Sequence, residues 1–266
     1  MNVLSLFDGM SCGQIALNRA DIKYNNYFSS EIDQYAIRVT QANYPNTVQL
    51  GSIVELDGTA LPKIDLLIGG SPCQSLSPEG KGEGFSGTSK LFYEFIRILH
   101  EVQPKYFLLE NVKMKKEWED VITNALSIHP IAINSRLVSA QNRPRLYWTN
   151  IPNIIQPQDT NCQLSEILEN LPFDKEPYEE HYTSNKVMHY QSPKFKTLRT
   201  SAGSKTRGIG ICNDVGMWRK LTPIECERLQ TVPDNYTNHV STSQRYRMLG
   251  NGWTVDVIAH IFKNLV

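Results

Sequence analysis

NVLSLFDGMSCGQIALNRA, residues 2–20, sets an apolar run against a glycine-bearing turn and then a helix-spaced stretch. The run NVLSLF lacks the strict alternation of a half-solvated strand and reads as a strand buried on both faces. The same order recurs along the first half of the chain: YNNYFSSE before DQYAIRVTQANY, then TVQL, then KIDLLIGG before SKLFYEFIRILHEVQP, then KYFLLEN before EWEDVITNALSIH. In the third of these helices Leu91, Phe92, Phe95, Ile96 and Leu99 share one face, and Pro104 ends it. Two further strands, IAINSRLVSA and RLYWTNI, close the series. Continuous apolar strands separated by helices predict an α/β fold, a doubly wound, mostly parallel sheet of Rossmann-like type.

From about Pro152 to Met217 this order gives way to Pro, Asn, Ser, Gly and charge, apart from a short helix at QLSEILENL. The expected organisation is a main domain over 1–151, completed by 218–266, with a small lobe over 152–217 inserted in it. Regularity returns at LTPIECERLQ, where Thr222 can cap, Pro223 suits the first helical position and Glu225 completes a capping box. The last helix, VDVIAHIFKNL, spaces Val255, Ile258, Ala259 and Phe262 for burial.

The 266 residues suffice for one sizeable core. No window approaches the roughly 18 apolar residues of a membrane span, and the N-terminus lacks a signal-peptide pattern, so a cytoplasmic protein is expected. The five cysteines form no C-x-x-C pair and read as free thiols. Formal charge is zero, yet from Thr183 to Asn213 there are Lys186, Lys194, Lys196, Arg199, Lys205 and Arg207 and no acid. That stretch is a candidate phosphate-binding surface.

In a doubly wound sheet ligands sit beyond the carboxyl ends of the strands, and the first strand-to-helix turn holds the cofactor. Here that turn is FDGMSCG, where Gly9 and Gly13 allow close backbone approach but G-x-G-x-x-G is absent. A nicotinamide or flavin is disfavoured, and a different adenosine cofactor is implied. Glu31, at the end of the second strand, stands where a carboxylate can accept from both ribose hydroxyls. Cys73 follows the fourth strand in GGSPCQ, Glu110 ends the fifth, and Arg143 and Arg145 lie in QNRPR between the last two. A lone free cysteine is more often packing than nucleophile; its companions at neighbouring strand ends favour the nucleophile.

FDGMSCG, SSEID, GGSPCQ, ENV, QNRPR, RKLTPIECERLQ and LGNGWTV, in this order, resemble the cytosine carbon-5 DNA methyltransferases over nearly the whole chain. LSLFDG, SKLFYEF and GNGWTV are most similar to the catalytic domain of the animal de novo enzymes, whereas PCQ is similar to bacterial and phage members. The resemblance implies S-adenosylmethionine as methyl donor, gripped by Phe7, Asp8, Gly9, Met10, Ser11, Cys12 and Gly13, by Glu31, by Ser52 and Ile53, and by Asn251, Gly252 and Trp253. It implies a Cys73 thiolate that adds to carbon-6 of a flipped-out cytosine, and Glu110, its pKa raised by burial, protonating nitrogen-3. Arg145 or Arg143 would hold the base's carbonyl oxygen. The lobe over 152–217 occupies the target-recognition position, with Lys194, Lys196, Arg199, Lys205 and Arg207 against double-stranded DNA.

Three departures from the family pattern stand out. Ser11 and Cys12 replace commoner glycines, Gly252 and Trp253 replace a small residue and valine, and Ser52 replaces an aspartate that accepts from the adenine amino group. Two other readings are open: a transfer-RNA cytosine methyltransferase on the same fold, and a non-catalytic DNA-binding paralogue, which should have lost the nucleophile. Protection of a host or phage genome from restriction fits the biology; target sequence and oligomeric state are not legible.

Overall fold

The computed structural model describes residues 1–72, 91–173, 187–200, 202 and 210–265. Cys73, Lys205 and Arg207 therefore lie outside the described residues. The chain divides into two compact units, one made of residues 1–134, 144–156 and 258–266, the other of 135–143 and 157–257.

The first unit is built on a seven-stranded sheet with the order β3-β2-β1-β4-β5-β7-β6. Its strands are β1 (Asn2–Leu6), β2 (Asn26–Ser30), β3 (Val48–Gln49), β4 (Leu66–Gly70), β5 (Tyr106–Val112), β6 (Ile131–Asn134) and β7 (Pro144–Thr149). All pairs from β3 through β5 are parallel, and β7 runs antiparallel to both β5 and β6. Val3, Leu4, Leu6, Leu66, Leu67 and Ile68 are fully or almost fully buried, which is why these strands carry continuous apolar runs.

Helices α1 (Cys12–Arg19), α2 (Gln34–Asn43), α3 (Leu91–Val102) and α4 (Lys116–Leu126) flank the sheet. α2 starts where Asp33 accepts a hydrogen bond from the Tyr35 N–H at 2.9 Å. α3 buries Phe92, Phe95 and Ile98 in the core that also contains Leu4, Leu6, Leu67, Leu109 and Trp148. Each such side chain contributes about 1.5–3 kcal/mol by leaving water, so Phe95→Ala is the kind of single change that breaks this layer. α4 ends at Ser127, whose φ of 53° takes the chain out of the helix.

The second unit contains a three-stranded sheet of β8 (Val187–His189), β9 (Gly210–Cys212) and β10 (Trp218–Lys220), ordered β10-β9-β8. It also holds α5 (Leu164–Ile167), α6 (Pro223–Leu229) and α7 (Thr242–Asn251), while α8 (Val255–Phe262) runs across the boundary at 257. The capping box forms as expected: Thr222 Oγ accepts from the Glu225 N–H at 3.1 Å and the Glu225 carboxylate accepts from the Thr222 N–H at 2.8 Å. Arg219 grips that carboxylate with both terminal nitrogens, at 2.9 and 2.6 Å, and also donates to the Glu169 carbonyl at 3.1 Å. This ties α6 to the chain after α5, so residues 218–257 pack with the lobe, whereas the sequence places its end at 217.

Candidate active site

Gly70 at the end of β4 is in register with Glu110 on β5, and Glu110 with Tyr147 on β7. Glu110 and Val112 lie on one face of β5, and Arg145 pairs with Val112, so Glu110 and Arg145 are diagonal neighbours on a single face. Their side chains meet, Arg145 Nε donating to Glu110 Oε1 at 3.0 Å, with 12 % and 11 % of each side chain exposed. A nearly buried carboxylate and guanidinium therefore stand together at the sheet edge where β4 ends, three residues before Cys73.

Asn111, the middle residue of ENV, points the other way and is buried. Its Nδ2 donates to Ser71 Oγ at 3.0 Å, and its Oδ1 accepts from the Val112 N–H at 2.8 Å. It thus fastens the segment two residues before Cys73, a role sequence reasoning missed because only Glu110 was singled out.

The turn after β1 is left-handed at Phe7 (φ 57°), Gly9 (φ 59°) and Ser11 (φ 63°). A Cβ added at Gly9 would meet nothing within 4 Å, so the backbone there is open to an approaching ligand. Glu31 closes on the same turn, Oε2 accepting from the Gly9 N–H at 2.7 Å and Oε1 from the Ile32 and Asp33 N–H groups at 2.7 and 2.8 Å. Beside it Ile32 is 70 % exposed, an apolar side chain that a stacked purine would cover and that the sequence reading did not include. The Ser52 hydroxyl accepts from the Val54 N–H at 3.3 Å, and Ile53 is buried in the core.

Asp8 accepts from Tyr27 Oη at 2.8 Å and Ser29 Oγ at 3.1 Å. Burial pushes its carboxyl up from the usual 3.8 to about 6, against the opposing pull of hydroxyls from Ser5, Tyr27, Ser11 and Ser29.

In the second unit Arg143 has a role other than the base contact expected of it. It is 4 % exposed, and its guanidinium donates to the carbonyls of Leu198, Gly250 and Gly252 at 2.9, 3.0 and 3.0 Å. Gln230 donates to the carbonyls of Leu249 and Gly252 at 2.7 and 3.0 Å and accepts from Gln141 Nε2 at 3.1 Å. QNR, ERLQ and LGNGWT are thus laced into one support for Asn251, Gly252 and Trp253. Gly250 has no alternative there, since a Cβ would strike the backbone of Arg199 and Thr200.

Lys194 also departs from expectation. Its ammonium donates to the carbonyls of Ser139 and Cys162 at 3.1 and 2.7 Å, so it stitches loops together where a phosphate contact was expected. Lys196 and Arg199 are exposed.

Such a sheet, seven strands mostly parallel with helices flanking it, defines the Rossmann-like α/β architecture of methyltransferases. A family model described as C-5 cytosine-specific DNA methylase matches residues 1–153 and 131–266, and the chain belongs to that family. It is a DNA cytosine-5-methyltransferase. The type II methyltransferase M.NlaX of Neisseria lactamica is 30 % identical over 305 residues, covering 99 % of this chain and 95 % of the relative. M.HhaI of Haemophilus parahaemolyticus is 27 % identical over 315 residues, covering 100 % and 94 %. The structure of the Entamoeba histolytica methyltransferase EhMeth shares the fold with a TM-score of 0.81 at 18 % identity, covering 100 % of this chain and 99 % of that one. No helix among the described residues is long and apolar enough to cross a membrane.

Proposed function

We propose that the chain methylates carbon-5 of a cytosine flipped out of duplex DNA, with Cys73 as the covalent nucleophile and S-adenosylmethionine as donor. The observation that carries this reading is the Glu110–Arg145 pair, placed in register with the end of β4 three residues before Cys73. Carbon-5 is too poor a nucleophile to act unaided. A thiolate adding at carbon-6 pushes electron density toward nitrogen-3 and carbon-5; Glu110 meets the developing charge at nitrogen-3, and Arg145 orients Glu110 and the base's carbonyl oxygen. Bound S-adenosylmethionine supplies the electrophilic methyl group that the enriched carbon takes. Loss of the carbon-5 proton to a base then lets the sulfur leave.

The turn fits that donor. Gly9 is open, Glu31 has oxygens already aligned by backbone N–H groups and retains lone pairs for ribose hydroxyls, and Ile32 offers an apolar cover for adenine. Lys196 and Arg199 are the described cations to set against phosphates, joined by Lys205 and Arg207 of the acid-free stretch. Rotating the cytosine out of the stack costs a few kcal/mol, which these contacts must offset.

A duplex containing 5-fluorocytosine tests the reading, because the fluorine cannot leave as a proton and the adduct persists. We expect a covalent protein–DNA species that Cys73→Ser abolishes; no adduct, or one unaffected by the substitution, rules the nucleophile out. Running transfer RNA beside duplex DNA with labelled methyl donor separates the RNA alternative.

A further inference from the structure

Ser11 is fully buried and left-handed (φ 63°, ψ 43°), a conformation that favours glycine. What holds it there is Gln14, one turn further on and only 2 % exposed. Gln14 Nε2 donates to Ser11 Oγ at 2.9 Å and to Thr47 Oγ1 at 2.8 Å, while Gln14 Oε1 accepts from Tyr24 Oη at 2.9 Å. Three of the amide's four bonding directions are filled, both N–H donors among them. The Ser11 N–H in turn donates to the Asp8 carbonyl at 3.1 Å. A line of hydrogen bonds therefore runs from Tyr24, on the half-exposed side of the unit, through Gln14 to the turn that bears Gly9.

We propose that Gln14 is a positioning residue for methyl-donor binding: its buried amide secures a serine in a backbone conformation that a glycine would adopt unaided, and so fixes the turn of residues 7–13. The inference rests on reading that turn as the cofactor site. Gln14 itself touches no ligand in this role. Its substitution should matter through Ser11 and matter less when residue 11 is relieved of its side chain.

A double-mutant cycle between Gln14→Met and Ser11→Gly tests this, read in two ways. Titration calorimetry with S-adenosylmethionine should show about a ten-fold loss of affinity for Gln14→Met in the parent chain, and about two-fold or less in the Ser11→Gly background. Hydrogen exchange at amides 9–13, measured with no cofactor added, should quicken in Gln14→Met and return toward the parent rate in the double variant. Tyr24→Phe, which removes only one bond from the line and keeps the fold in reach, should lose about two- to three-fold in affinity. Equal losses in both backgrounds, or exchange and affinity unmoved by Gln14→Met and Tyr24→Phe, would overturn the proposal. A parent chain that does not bind S-adenosylmethionine, with exchange still following Gln14, overturns the cofactor reading and with it the link to donor binding, and is distinguishable from failure of the cycle.

Discussion

Arg143 and Arg145 are separated by one proline, yet their surroundings give them different work. Arg143 donates to three backbone carbonyls, which makes it a fastening for residues 198 and 250–252. Arg145 meets a carboxylate at the edge of the sheet, with Glu110 on the same face. A guanidinium bonded to three main-chain oxygens from distant segments secures the chain, whereas one set against a carboxylate beside a strand end forms a charged pair of the kind found where side chains titrate.

The contrast can be broken most sharply at the carboxylate pair. Glu110→Gln keeps the shape and removes the proton-exchanging group, so turnover of duplex DNA should fall by about 10²–10⁴-fold. Arg145→Lys, which keeps the charge but not the planar fork, should fall by about 10²-fold. In Arg145→Lys, which keeps a cation opposite Glu110, urea unfolding should move by no more than about 1 kcal/mol. At the fastening the expectation reverses. Arg143→Leu takes a donor from the buried Leu198 and Gly250 carbonyls, while that of Gly252 keeps Gln230, and should cost about 2–4 kcal/mol in the same unfolding experiment. Were Arg145→Lys to lose stability as Arg143→Leu does, or Arg143→Leu to lose turnover alone, the division of labour would be wrong.

Asp8 sharpens the comparison from the acidic side, because hydroxyl groups are its partners where Glu110 has a guanidinium. Its folded pKa of about 6 lies above the usual 3.8, so between these values the folded chain keeps a proton the unfolded chain releases. Stability is lost as pH rises through that window, and the penalty persists above it. Asp8→Asn removes the penalty. The variant should be the more stable by up to about 3 kcal/mol above pH ~7, with the difference closing below pH ~4, in unfolding curves recorded at both ends. A difference independent of pH would remove the carboxylate as its source.

The smallest effect belongs to Ser52. Its hydroxyl already accepts one backbone N–H, and it is a weaker acceptor than a carboxylate for the adenine amino group. Ser52→Asp should tighten S-adenosylmethionine binding by about three- to ten-fold in a titration; unchanged or looser binding would show that this position does not meet the adenine.

The parts of the fold that sequence made legible are those whose burial is local. KIDLLIGG and KYFLLEN read as strands because β4 and β5 bury almost every residue, and LTPIECERLQ reads as a capped helix because its cap is written within four residues. IAINSRLVSA reads as one strand, but β6 stops at Asn134 and residues 135–137 turn into a short 3-10 helix. There the Ser135 hydroxyl and N–H both bond to the Arg143 carbonyl, a loop closure with no periodic signature. The three-residue strands of the second unit and helix α7 were not expected, since VMH, GIC and WRK are too short to show alternation. In the site, motif order put Glu110 and Arg145 at neighbouring strand ends, where the structure pairs them, and Glu31 at the end of β2, where it meets the first turn. The employment of Arg143 and Lys194 was not legible, because which carbonyls lie near a buried cation is decided by packing between distant segments.

One reversal in the sheet has a wider consequence. β7 travels against its neighbours, so its opening residues, and not its last, arrive beside the carboxyl tip of β5. The connection from β6 can therefore be as short as nine residues, 135–143, with no crossover helix between the two strands. An antiparallel return of this kind lets the last two strands join the sheet on a short connection, where another parallel strand would have demanded a dozen or more residues of crossover.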